Sequence, residues 1–307
     1  MANILILGAG SMGTAFSFPC SDNGHSVSIL GTHLENDFID KINSTKKHPA
    51  LDCEVAKNVK FLKFEKLKEE LNKKIDLIVV AVVSKGIEWA SIQLSKFLKT
   101  KTPILILTKG LSINNNKYEI LAHKMDRILK KKGIKKTDII AAGGPCLAKG
   151  LSYRTHTSVI FASSEIKKAK QVAKLVSTNY YHISVTNDVV GVEVSAAIKN
   201  IFSMFIGASV GLCSSKLSSN IKEKNYLNTA SSLLQESIYE MIIFVEHLKG
   251  KKETVLGLAG VGDLYVSAVG GRNSRMGEFL GKGYKYKKAK KKFMPNDTVE
   301  GAELAKE

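Results

Sequence analysis

Lys199 sits near the middle of "GVEVSAAIKNIFSM", a stretch over 191–204 that is otherwise mostly small and apolar, with helical spacing. An ammonium there has two readings. Its stem can lie along apolar surface with the head in water, or it can serve chemistry. Other segments bear on the choice. "LTKGL" places Lys109-Gly110 at the end of a predicted strand, where open α/β sheets bind ligands. "GGPCLAKG" places Gly143-Gly144-Pro145 just after another strand. "GLAGVGDLYVSAVGGRNSRMGEFLGKG" holds Asp263 and then Gly271-Arg272-Asn273 at a predicted helix start, a place suited to an anion. Asp263 by itself reads equally as a helix cap.

Near the N-terminus, "NILILGAGSMGTA" runs from a short apolar strand straight into Gly8, Gly10 and Gly13, and a helix opens near Ser11. The strand, turn, helix and second strand fit within about 30 residues, the context in which this glycine pattern binds a dinucleotide. The first glycine permits the tight turn, the second lets the backbone approach a pyrophosphate, and the third lets helix and strand pack closely. An acidic residue after the second strand would favour NAD through the ribose 2′-hydroxyl. Here Thr32 and His33 occupy that place, with Glu35 further on. NAD or NADP is therefore expected as cofactor, with a lean toward acceptance of NADPH.

The elements that must carry these groups change type along the chain. Strands are expected at 3–7, 26–30, 75–82, 103–108, 139–142 and 158–162, with helices between them. The first helix ends near Asn23-Gly24 and should be kinked at Pro19. Such alternation implies a parallel sheet covered on both faces. Beyond about residue 187 the apolar periodicity is helical, over 189–212, 228–249 and 252–259, and "LCSSKLSSNIKEKN" (212–225) reads as a polar loop. The expected fold is therefore α/β: a Rossmann-like doubly wound parallel sheet over 1–186, then an all-helical domain over 187–307.

The 307 residues suit two domains, and their apolar runs fall short of the roughly 20 residues a membrane helix needs. No membrane insertion is expected. The N-terminus has no basic leader, so a signal peptide is not expected. Four scattered cysteines form no pairable or metal-binding pattern, which points to a reduced, cytoplasmic location. None of the seven histidines shows ligand spacing, and no metal is expected. The net charge of +18 is almost all lysine, without the interleaved aromatics that stack bases, so nucleic acid is not an expected partner. The positive field suits small anionic substrates.

"GAGSMGTA", "TKGL", "GGPCLAKG", "DVVGVEVSAAIKN", "GLAGVGDL", "GGRNSRMGEFLGKG" and "VEG" follow one another in the order of a known family. The chain resembles the NAD(P)-dependent glycerol-3-phosphate dehydrogenases over nearly its whole length. The resemblance implies hydride transfer between NAD(P)H and dihydroxyacetone phosphate, giving sn-glycerol 3-phosphate for phospholipid synthesis, at a site between the two domains. It implies Lys199 as general acid/base, Asp263 orienting it, and Lys109 touching both substrate and cofactor. Arg272 and Asn273 would hold the substrate phosphate beside Gly271. Asn200, Gly144 and Cys146 would be further substrate positions. Gly8, Gly10, Ser11, Met12, Gly13, Thr32, Ala148, Thr298 and Glu300 match cofactor positions, with Arg272 also near the cofactor. The partner is a small phosphorylated three-carbon substrate, and a homodimer is the expected assembly.

Three departures from the family stand out. Cys146 replaces a usual serine or threonine, and Gly150 a usual glutamate. Ala230 and Glu236 stand where lysine and arginine are common. The family usually continues beyond "VEGAELAKE" with more helices, so the helical domain reads as shortened at its C-terminus. Two other readings stay open on the sequence: another lysine-dependent dehydrogenase of 3-hydroxyacid or 6-phosphogluconate type, and a nucleotide-binding homologue impaired in catalysis.

Overall fold

A computed structural model describes every residue except 57, 99–100, 217–226, 296 and 307. The chain divides into two compact units, Met1–Val189 and Val190–Glu307. The first contains strands β1 (Asn3–Leu7), β2 (Ser26–Leu30), β3 (Lys47–His48), β4 (Cys53–Glu54), β5 (Val59–Leu62), β6 (Leu77–Val80), β7 (Ile104–Ile106), β8 (Leu111–Asn114), β9 (Lys117–Ile120), β10 (Ile139–Gly143), β11 (Thr157–Ala162) and β12 (Tyr181–Thr186). Its helices are α1 (Ser11–Asp22), α2 (Asn36–Thr45), α3 (Leu67–Leu71), α4 (Ile87–Ser95), α5 (Leu121–Lys131), α6 (Ala148–Ser152) and α7 (Ile166–Val176).

Among the described residues, eight strands form one sheet in the order β12-β11-β10-β7-β6-β1-β2-β5. The run from β5 to β10 is parallel. β11 pairs antiparallel with β10 and parallel with β12. The central strands are apolar without alternation, and Leu77, Ile78, Val79 and Val80 are all out of solvent, as a sheet buried on both faces requires. Strand order reverses between β1 and β6, so a crevice opens at their carboxyl ends, where such sheets take ligands. β3 and β4 form a small separate hairpin, as do β8 and β9.

Two strands of the main sheet, β5 and β12, were not expected. Both are its edges. An edge strand buries less, and "VKFL" and "YHISVT" mix polar with apolar residues instead of forming an apolar run. α1 is helical through Pro19.

The second unit is helical: α8 (Val189–Lys216), α9 (Leu227–His247), α10 (Lys252–Val255), α11 (Asp263–Gly270), α12 (Arg272–Gly281), α13 (Tyr286–Phe293) and α14 (Glu300–Lys306). The continuous helix expected over 252–259 is broken. α10 stops at Val255, and a π-helical turn, Leu258–Gly262, leads into α11. Of the loop expected over 212–225, residues 212–216 continue α8, while the remainder lies outside the described residues. α8 is long and apolar enough to span a membrane, but most of its apolar window is buried within the protein. It is a core helix.

Close backbone approach sets how α8 and α12 pack. A Cβ on Gly207 would lie 2.0 Å from the Ser274 carbonyl, and one on Gly277 would lie 1.9 Å from that of Met204. Only glycine fits at these crossings, and the result brings Asn200 of α8 beside Asn273 of α12. Met204, Met276, Ala289, Met294 and Val299 form the buried cluster beneath, flanked by Phe279, Tyr284 and Phe293.

Candidate active site

The glycine turn lies in the first unit. β1 leads into Gly8, whose φ of +112° is a left-handed conformation that side chains rarely adopt. A Cβ there would also meet the Ala81 carbonyl at 2.7 Å. Gly13, buried on the first turn of α1, packs with its Cα against the Gly8 carbonyl, which a Cβ would approach to 2.2 Å. A Cβ on Gly10, by contrast, would meet nothing within 4 Å. The turn is therefore closed on its protein side and open at Gly10. No side chain caps α1, and its first turn has no acidic residue. The leading amides of Ser11, Met12 and Gly13 keep their capacity to hold an anion. These residues fit the pyrophosphate of a dinucleotide.

Thr32, beyond β2, is tied to the same turn. One carboxylate oxygen of Glu35 accepts from the Thr32 amide at 2.7 Å and from the Ala9 amide at 3.4 Å. His33 lies on the Trp89 ring, with centroids 5.1 Å apart. Farther along the carboxyl edge, Lys109 Nζ donates to the Gly144 carbonyl at 3.4 Å, so two of the expected substrate positions meet. Cys146 and Ala148 are partly buried against the core.

The second unit holds the buried lysine. Lys199 is 6% exposed and Asp263 1%, so Lys199 does not snorkel to solvent. Its Nζ donates to Asp263 Oδ1 at 2.8 Å and to Ser267 Oγ at 2.5 Å. Asp263 is the first residue of α11 after the π-helical turn. Ser267 lies one helical turn on, on the same face. Ser267 was not among the expected site residues, and its signal in the sequence is the four-residue spacing from Asp263. Beside this pair, Asn273 Nδ2 donates to Asn200 Oδ1 at 3.0 Å, and Asn273 Oδ1 accepts from the Gly301 amide at 2.9 Å. The start of α14 is thereby fastened to both asparagines.

Arg272 opens α12 directly after Gly271. It pairs with Glu300 at 3.2 Å while remaining half exposed. Thr298 is exposed, two residues before Glu300. Of the departures on α9, Ala230 is half-buried and Glu236 is exposed. No group of three or more metal-ligating side chains occurs among the described residues.

The glycine turn of the first unit suits a dinucleotide, and the buried lysine–carboxylate pair of the second suits proton transfer. Residues 3–169 match the NAD-dependent glycerol-3-phosphate dehydrogenase N-terminus, and residues 188–307 match its C-terminus. The chain is 31% identical over 280 residues to the NADP(+)-dependent glycerol-3-phosphate dehydrogenase of Archaeoglobus fulgidus, covering 91% of this chain and 80% of that protein. It is 30% identical over 288 residues to the NAD(P)+ glycerol-3-phosphate dehydrogenase of Oceanobacillus iheyensis, covering 92% and 77% respectively. The crystal structure of glycerol-3-phosphate dehydrogenase from Coxiella burnetii superposes with a TM-score of 0.83 at 26% identity, covering 99% of this chain and 87% of that one. With both of its halves matched in order, the chain belongs to the NAD-dependent glycerol-3-phosphate dehydrogenase family.

Proposed function

We propose that this protein interconverts dihydroxyacetone phosphate and sn-glycerol 3-phosphate with NAD(P)H, as a cytoplasmic enzyme that supplies glycerol 3-phosphate for phospholipid synthesis. The observation that carries this reading is the buried Lys199 ammonium held by Asp263 and Ser267. Bound reduced nicotinamide would supply the hydride, which reaches the carbonyl carbon. Lys199 gives the carbonyl oxygen its proton, so the ketone becomes a secondary alcohol. In reverse, Lys199 takes the proton from that hydroxyl. Asp263 and Ser267 fix the direction of the Nζ–H bonds, which is what general acid catalysis needs.

Substrate positioning follows from charge and hydrogen bonding. Arg272 offers a guanidinium fork, a geometry that matches phosphate oxygens in pairs. Asn273 and Asn200, locked to each other, place amide groups beside Lys199. Lys109 with Gly144 forms the corresponding contact in the first unit. The amides of the glycine turn, with Thr32 behind them, hold the dinucleotide, and Ala148, Thr298 and Glu300 complete its expected contacts.

The test is consumption of NADH and of NADPH, in parallel, with dihydroxyacetone phosphate and with a 3-hydroxyacid substrate's oxo form. Turnover of the three-carbon phosphate alone supports the reading. Turnover of the oxo acid alone would replace it with the related lysine-dependent chemistry.

A further inference from the structure

The helix α13 and the turn before it carry charge that the reaction above does not use. Residues 282–292 hold seven lysines and no acidic residue. Local structure accounts for two of the seven. Lys282 pairs with Glu278 one helical turn earlier. Lys290 closes its own helix by donating to the Met294 and Pro295 carbonyls, each at 2.8 Å. The other five, Lys285, Lys287, Lys288, Lys291 and Lys292, are exposed, and no carboxylate pairs with them among the described residues.

The helix sorts its side chains by face. Tyr286, Ala289 and Phe293 recur at three- and four-residue spacing and pack on the buried cluster of Met276 and Met294. Lys287, Lys288, Lys291 and Lys292 fall on the opposite face, where the same spacings set their charges side by side. Like charges so placed weaken a helix, a cost that an opposing negative surface relieves. The lysine run over 130–136 is built differently. Asp126 and Asp138 flank it, and Asp126 holds Lys130 at 2.6 Å.

Two features choose among polyanions. Single-stranded nucleic acid is held by exposed aromatic rings as well as charge. Here the rings beside the lysines are engaged with one another: Phe293 stacks on Phe279 with centroids 4.4 Å apart and meets Tyr284 edge-on at 5.1 Å. Residues 282–292 also lack arginine, whose fork suits ordered phosphates. What remains is a row of point charges on long, flexible stems. That suits a diffuse sheet of lipid headgroups, the usual reading of four or more lysines on one helix.

We propose that the outward face of α13 docks the protein on an anionic lipid bilayer. The docking is by charge and without insertion, because the apolar side of the helix is already buried in the protein. It stands apart from the reaction proposed above.

The full chain is sedimented with vesicles of mixed phosphatidylcholine and phosphatidylglycerol, and with vesicles of phosphatidylcholine alone. It is compared with two charge-matched variants. One changes Lys287, Lys288, Lys291 and Lys292 to Gln, and the other changes Lys131, Lys132, Lys135 and Lys136 to Gln. Each lysine near an anionic surface contributes about fivefold to binding, so the first variant should bind the mixed vesicles about 10²- to 10³-fold more weakly. The second variant should retain most of the binding, and added salt should weaken what remains. Turnover without vesicles should be near the unsubstituted value in both. No preference of the unsubstituted protein for the mixed vesicles overturns the proposal. Equal loss in both variants also overturns it and assigns the binding to net charge. Tighter binding to single-stranded polyuridylate than to the mixed vesicles, lost in the first variant, replaces the bilayer with nucleic acid. Should the first variant not fold, acetylation of the unsubstituted protein decides. The mixed vesicles should shield Lys287, Lys288, Lys291 and Lys292 but not Lys131, Lys132, Lys135 and Lys136, and equal shielding of the two sets overturns the proposal.

Discussion

Lys199 and Asp263 are separated by 64 positions in sequence and by 2.8 Å in space, and both are out of solvent. A buried ion pair of this kind is rarely the cheapest way to fill a core, because each charge loses its hydration. On the proposed function, its value lies in a proton donor of fixed direction. Asp263→Asn keeps the shape but leaves the ammonium uncompensated. It should lower kcat by about 10²- to 10⁴-fold and destabilise the fold by about 3–5 kcal/mol in urea unfolding. The double variant Lys199→Met with Asp263→Leu should regain most of that stability and none of the activity. An Asp263→Asn protein of unchanged stability would show that the pair does not form.

Ser267 shares the Lys199 ammonium at 2.5 Å. Hydrogen bonds to charged groups contribute about 1.5–3 kcal/mol, so Ser267→Ala should cost roughly 10- to 100-fold in kcat. Ser267→Thr, which keeps the hydroxyl, should retain most of it. The affinity for NADH should be the same in all three proteins. Equal loss in the alanine and threonine variants would point to packing, not to the hydroxyl.

Arg272 is half exposed and pairs with Glu300 at 3.2 Å. Arg272→Lys keeps the charge and loses the fork. The KM for dihydroxyacetone phosphate should rise by about 10- to 100-fold, the equivalent of one or two charge-assisted hydrogen bonds. An unchanged KM would place the phosphate elsewhere.

The helix that bears the glycine turn is anchored at its far end by Asp22. Arg154 donates to its two oxygens at 2.7 and 2.9 Å, and the Tyr180 hydroxyl donates at 2.6 Å. Burial alone would raise the Asp22 carboxyl, but the Arg154 fork and the Tyr180 hydroxyl outweigh it and hold it below the usual range. A carboxyl depressed in the folded state stabilises fully above its unfolded value, about 3.9, and loses that contribution as pH falls through the folded value. Asp22→Asn should therefore cost about 1–2 kcal/mol at neutral pH, discounted for partial exposure, and the gap to the unsubstituted protein should close on acidification. Denaturant melts of both proteins at neutral and acid pH measure this. A gap that stays constant with pH would mean that the charge of Asp22 is not what stabilises.

How much of this was legible in the sequence depends on how local each feature is. The turn around Gly8 is written in one short segment, because a strand, a positive-φ glycine and a helix start are neighbours in the chain. The central strands carry continuous apolar runs and were equally plain. β5 and β12 were not, since edge strands need only half an apolar face. The break at Leu258–Gly262 was missed because the apolar spacing of "LGLAGVGDL" continues through it. Ser267 needed three dimensions, since it is defined by the ammonium it meets.

The most direct test of the central claim, that Lys199 is the proton donor, is a comparison of the unsubstituted protein with Lys199→Met. Each is mixed with NADH and dihydroxyacetone phosphate in a single turnover, and NADH affinity is measured alongside. Reduction should fall by about 10²- to 10⁴-fold while NADH binds as before. Reduction at an undiminished rate by Lys199→Met would contradict it and make the buried ammonium a structural cation.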